Sequence, residues 1–167
     1  MVSQRIEELG RMANVEITDL HLATAVNVKA TGLPPDPTEK DSEIISMKKV
    51  HDTLVAEGFG VTDVHTDDLG YDLYAVRGPE QRCVEVKGVW GSATTQGVRL
   101  TGGEILIAAQ QKDDYWLYVV DRCSEGGTVF GVFQNPVSTF EGLLKEDAIY
   151  TVSGSALKAA KGETGEL

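Results

Sequence analysis

The chain has 167 residues, the length of one domain with a tail, and its 41% apolar and 25% charged content is that of a globular chain rather than a disordered one. Fifteen Lys and Arg stand against 26 Asp and Glu, a formal net charge of −11. That balance excludes a protein that coats nucleic acid through a broad basic surface or binds an anionic membrane, and leaves room for a locally organised metal site.

No apolar run approaches the roughly 18 residues of a membrane-spanning helix, and the first ten residues lack the apolar stretch of a signal peptide. Cys83 and Cys123 form no metal-spaced cluster. A cytoplasmic protein with reduced thiols and no membrane contact is expected. Residues 1–40 read as a weakly helical segment and linker, with Pro34, Pro35 and Pro37 clustered at its end. Residues 41–152 read as the folded domain, and residues 153–167 as a flexible tail.

The domain opens with a strong helix signal. Asp41 or Ser42 is placed to cap it, and Ile44, Met47, Val50, Leu54 and Val55 recur at helical spacing as one apolar stripe. Gly58 and Gly60 end it. Three strand signals follow: Val61 to His65, Tyr71 to Val76 and Arg82 to Val86, the last two joined as a hairpin through Gly78-Pro79. Residues 89–97 are loop-like. Thr101 and Glu104 form a capping box for a second helix ending near Lys112. Tyr115 to Asp121 is the near-continuous apolar run of a strand buried on both faces, and Thr128 to Phe133 is another strand. Asn135-Pro136 starts a last helical stretch through Leu143 and Leu144. The order helix–three strands–helix–strand predicts an α/β (α+β) fold with a mixed central sheet flanked by helices.

Chemistry concentrates in Gly70-Tyr71-Asp72 and Cys83-Val84-Glu85-Val86-Lys87. Strand alternation points Glu85 and Lys87 one way and Val84 and Val86 the other. Asp72 can approach Glu85 across the hairpin, so two carboxylates and an ammonium would converge at a sheet edge. Mg²⁺, or Mn²⁺, is commonly held by one or two carboxylates plus water and a substrate phosphate. A neighbouring lysine can orient the attacking water or stabilise charge on phosphorus. Glu43, one turn before Met47, could add a third carboxylate. The pattern suits phosphodiester hydrolysis. An isolated Glu-x-Lys, by contrast, is ordinarily a solvated surface pair.

These segments resemble a known family, the domain named after the C-terminal region of the plant NO VEIN protein. The resemblance rests on Glu43 and Met47, Gly70-Tyr71-Asp72, Glu85-Val86-Lys87-Gly88, Leu100-Thr101-Gly-Gly-Glu104, Tyr115-Trp-Leu-Tyr-Val-Val120 and Asn135-Pro136. It implies a restriction-endonuclease-like core of the PD-(D/E)xK group, with Asp72 and Glu85 in the metal positions, Lys87 as the lysine and Glu43 as the acid of the first helix. Tyr71 stands where that pattern has proline. The resemblance further implies a metal-dependent endonuclease acting on DNA in a defence or DNA-processing system. Its alternative is a non-cleaving module within a helicase or ATPase assembly. No GxxxxGK[ST] loop is present, so any motor would lie on a partner. Relatives of this fold often act as homodimers.

Other residues carry two readings each. Trp90 and Arg99, in the loop after Lys87, could touch nucleic acid, with Trp90 stacking on a base or simply packing. Gln110, Gln111 and Lys112 could meet a phosphate or form a solvated helix end. Glu104 reads as a cap, with a site-facing role as the alternative. His51 and His65 are isolated, Trp116 and Tyr118 read as core, and Cys83 as packing rather than nucleophile.

Overall fold

The computed structural model describes residues 37–146 and 150–163. The expectations for residues 1–36 lie outside the described residues. Helix α1 covers Pro37–Ala56. It starts before the expected cap, because Pro37 suits the first helical turn and nothing in Thr38 to Lys40 opposes helix. Ser42 is therefore an interior residue, and only part of the apolar stripe, Val50 and Leu54 with Met47 beside them, belongs to the buried face. Ser42, Ser46, Val50 and Leu54 are buried at four-residue spacing, whereas Ile44 and Val55 are 59% and 50% exposed. The reason lies in what the helix crosses. A Cβ on Gly88 would lie 2.5 Å from the Ser42 carbonyl oxygen and 2.7 Å from Ser46 Oγ. Only small side chains on the helix, and none on the strand, permit that approach.

Strands β1 (Gly60–Asp63), β2 (Leu73–Arg77) and β3 (Glu80–Gly88) form an antiparallel meander. A crossover then carries a short helix α2 (Ala93–Gln96), strand β4 (Val98–Leu100) and helix α3 (Gly102–Gln111). Strand β5 (Tyr115–Asp121) returns parallel to β3, and β6 (Thr128–Gln134) pairs antiparallel with β5. The five-stranded order is β1-β2-β3-β5-β6, a mixed sheet with flanking helices. β3 is thus the central strand, and the expected position at a sheet edge is corrected: the parallel return of β5 covers the side that the hairpin alone leaves open.

Strand alternation divides the core. Val84, Val86, Tyr118 and Val120 pack with Val50 and Leu54 of α1 on one face. Leu117, Val119 and Phe133 pack on the other, against Leu100, Ile105 and later elements. Tyr118 is core, as expected, and its hydroxyl accepts from Arg82 Nη1 at 2.7 Å. The Arg82 guanidinium also lies between the rings of Phe59 and Trp116, at 4.5 and 4.1 Å from their centroids.

Helix α4 spans only Pro136–Thr139, capped by the Asn135 side chain, and the chain then turns through Gly142 rather than staying helical through Leu144. Strands β7 (Lys145–Glu146) and β8 (Tyr150–Val152) join β4 in a second sheet of order β4-β8-β7. Helix α5 covers Gly154–Glu163. Its Ala156, Leu157 and Ala160 are buried in the second-face core, which corrects the expectation of a frayed tail from residue 153. Two alanines beside Leu157 at helical spacing supply a packing face that composition alone hides. Among the described residues no helix is long and apolar enough to cross a membrane.

Candidate active site

The carboxyl-terminal half of β3 carries the site. Glu85 and Lys87 project on the face opposite Val84 and Val86, and Lys87 Nζ lies 2.7 Å from Glu85 Oε1. Glu85 is buried, only 3% exposed. Beneath it the Tyr115 hydroxyl donates to the Gly70 carbonyl at 2.8 Å and faces Glu85 Oε2 at 3.4 Å. Gly70 has φ +77°, and α3 packs so closely that any Cβ there would meet Ile107 at 2.6 Å. Glycine is therefore required where the chain turns toward Asp72.

Asp72 lies just before β2. The β2–β3 register ends at Leu73–Val84, and beyond it Asp72 Oδ2 accepts the Val86 N–H at 2.8 Å. One carboxylate oxygen thus completes the strand edge. Oδ1 has no hydrogen-bond partner among the described residues.

The same lysine has a second partner. Lys87 Nζ donates to Glu104 Oε1 at 3.0 Å, while Glu104 Oε2 accepts the Thr101 N–H at 2.9 Å and Thr101 Oγ1 accepts the Glu104 N–H at 3.2 Å. The capping box is present in full. The two readings of Glu104 are not alternatives: one oxygen caps α3 and the other holds the lysine. Motif reading kept Glu104 out of the site because a capping box already accounts for a Thr-x-x-Glu.

Electrostatics follow from this packing. Burial is the largest influence on Glu85 and pushes its carboxyl well above the usual range, with Glu104 and Asp72 adding to the rise and Lys87 opposing it. Burial also raises Asp72, against the Val86 hydrogen bond and Lys87. Burial works against the Lys87 charge, but Glu85 and Glu104 together outweigh it and hold the ammonium above the ordinary lysine range. Burial raises the Cys83 thiol, consistent with packing rather than nucleophilic chemistry. His65 is less isolated than its sequence position suggests. Its partner Asp63 raises the imidazole, with smaller contributions from Asp72 and Glu43.

A cleft of about 600 Å³ opens over these groups. Glu43, exposed on α1, lines it together with Asp72, Glu85, Lys87 and Glu104. Trp90 and Arg99 line its wall. Gln111 and Lys112 do not, and neither does Gln110. The amino end of α3 faces the site, so these residues lie about 15 Å away along a ten-residue helix. The cleft therefore does not bring them together with Asp72, Glu85 and Lys87, and they lie exposed at the far end of the helix.

Five carboxylates and two cations line the cleft. Among the described residues no three His, Cys, Asp or Glu side chains are drawn together tightly enough to hold an ion. The Lys87 ammonium sits between Glu85 and Glu104 instead. The donors are nonetheless hard oxygens with a surplus of negative charge, and Asp72 Oδ1 is uncommitted. That set fits Mg²⁺ or Mn²⁺, which retain several waters and need few protein ligands.

A mixed sheet whose central strand presents a carboxylate and a lysine into an acidic cleft defines an α/β domain with flanking helices. The family described as Protein NO VEIN, C-terminal, matches residues 42–132, more than half of the chain, and the chain belongs to that family. No curated protein and no solved structure gives a match.

Proposed function

We propose that the domain is a metal-dependent phosphodiesterase of the PD-(D/E)xK restriction-endonuclease-like type, acting on nucleic acid and best suited to DNA. The observation that carries this reading is the convergence of Glu85, Lys87 and Asp72 on the end of one central strand. Asp72 Oδ1 and the Glu85 carboxylate would hold Mg²⁺ or Mn²⁺, which when bound lowers the pKa of a water and offsets charge on the phosphoryl oxygens. Lys87 donates protons at a fixed point 2.7 Å from Glu85, where it can orient a nucleophilic water. Glu43 stands at the cleft mouth as a further carboxylate. The test is cleavage of labelled DNA in Mg²⁺ or Mn²⁺ by wild type and by Glu85→Gln. Cleavage lost in the variant supports the reading, and equal cleavage contradicts it.

A second reading has its own observation. Lys87 is already paired with two carboxylates, and the chain carries a net charge of −11. Both suit a non-cleaving module that docks within a helicase or ATPase assembly. Calorimetric titration separates the two: absence of Mg²⁺ and Mn²⁺ binding at millimolar concentration favours the module. A defence or DNA-processing role, and homodimerisation to cut two strands, belong to the first reading.

A further inference from the structure

The wall of the cleft carries a feature that the acidic floor does not explain. Trp90 is 36% exposed, and its loop is tied to the following turn by backbone hydrogen bonds. The Val89 N–H donates to the Val120 carbonyl at 2.9 Å, and the Cys123, Ser124 and Arg122 amides donate to the carbonyls of Val89, Trp90 and Gly91 at 3.1, 3.1 and 2.6 Å. Gln96 Oε1 accepts the Gly91 N–H at 3.0 Å. A large aromatic fixed in place but left open to solvent is not serving the core.

Arg99 is exposed on β4 and lines the same cleft, and no hydrogen bond or ion pair engages its guanidinium among the described residues. Lys87, the other cation there, is neutralised by Glu85 and Glu104. Any anion entering over an acidic floor therefore has Arg99 as its uncommitted positive partner. β4 is positioned from outside the family match: Val98, Arg99 and Leu100 pair with Val152, Thr151 and Tyr150 of β8, and α5 packs its buried face into the same core.

We propose that Arg99 and Trp90 form a substrate subsite, Arg99 engaging a backbone phosphate and Trp90 stacking on an unpaired base, with β8 and α5 as the support that holds Arg99 over the cleft. The inference rests on the nucleic-acid reading above and sharpens it to a substrate with single-stranded character at the site. An indole face accepts any base, but only one that is unstacked from its neighbours.

The probe is a single-stranded oligothymidylate in millimolar Mg²⁺ at low ionic strength, followed by tryptophan emission immediately after mixing. Wild-type emission should be quenched, and Trp90→Phe, which leaves only Trp116, should abolish the quench. Arg99→Gln should weaken binding several-fold and reduce the slope of log affinity against log salt by about 0.7, the share of one single-strand phosphate contact. Arg99 is exposed and Trp90→Phe keeps an aromatic ring outside the apolar core clusters, so both variants should fold and melt close to the wild-type temperature. An unchanged affinity and salt slope in Arg99→Gln overturns the phosphate assignment. Equal quenching by a blunt duplex overturns the unpaired-base assignment. DNA cleavage that survives in both variants at the wild-type rate removes the subsite but leaves the nuclease reading standing. Wild-type protein that neither binds nor cuts removes both.

Discussion

Lys87 and Glu104 meet at 3.0 Å, joining the central strand to the amino end of α3 through a carboxylate whose other oxygen caps that helix. The position of the lysine is therefore coupled to the start of a helix 17 residues away in the chain. Glutamine in place of Glu104 can keep both capping contacts but gives the ammonium one charged partner fewer. Glu104→Gln is expected to retain the wild-type fold and to lose about 10- to 100-fold in turnover, the usual cost of removing a group that orients a site residue. The loss should fall in kcat rather than KM. A loss confined to KM would place Glu104 in substrate binding instead.

The cap itself can be separated from the lysine contact. Thr101→Ala removes the hydroxyl that accepts the Glu104 N–H and should cost about 1 kcal/mol in denaturant unfolding. No change in stability would mean that the box contributes nothing in this context.

Asp72 tests whether its carboxylate is held for charge or for a hydrogen bond. Asp72→Asn keeps an acceptor for the Val86 N–H and removes a negative charge from a crowded site, so the metal-free variant should melt at or above the wild-type temperature. Asp72→Ala leaves that amide without its partner and should cost about 1–3 kcal/mol. Equal destabilisation by both variants would contradict this division of roles.

Raised carboxyls give a signed pH dependence. Glu85 binds its proton more tightly in the folded chain than in the unfolded one, chiefly through burial. Between the ordinary glutamate value of about 4.3 and the raised folded value, the native state holds more protons, so stability falls as pH rises through that window. Metal-free wild type should therefore lose stability relative to Glu85→Gln as pH climbs above about 4.3, where glutamate in the unfolded chain is ionised and the buried Glu85 still holds its proton. Mg²⁺ should restore more stability at the upper end of the window than at the lower. Parallel melting curves for the two proteins would refute the assignment of the effect to Glu85.

Much of this architecture can be read from local pattern. The alternation of Val84 and Val86 with Glu85 and Lys87 places the two polar groups on one face. Thr101 and Glu104 mark the start of α3, and the apolar run from Tyr115 marks a strand covered on both faces. Long-range placement is what local pattern omits. Ser42 and Ser46 take the buried face of α1 only because Gly88 brings β3 within contact, which no helical periodicity encodes. Glu104 joins the site because the crossover returns α3 over Lys87. The second sheet exists because β4 pairs with residues some fifty positions later, and α5 hides its packing face in small side chains.

We propose that Lys87, set by Glu85 and Glu104 beside Asp72, serves phosphodiester hydrolysis. Conversion of supercoiled DNA to nicked or linear product in Mg²⁺, by wild type and by Lys87→Ala at matched folding, tests it most directly. Product is expected with wild type and none with the variant. Equal conversion by both proteins would contradict it.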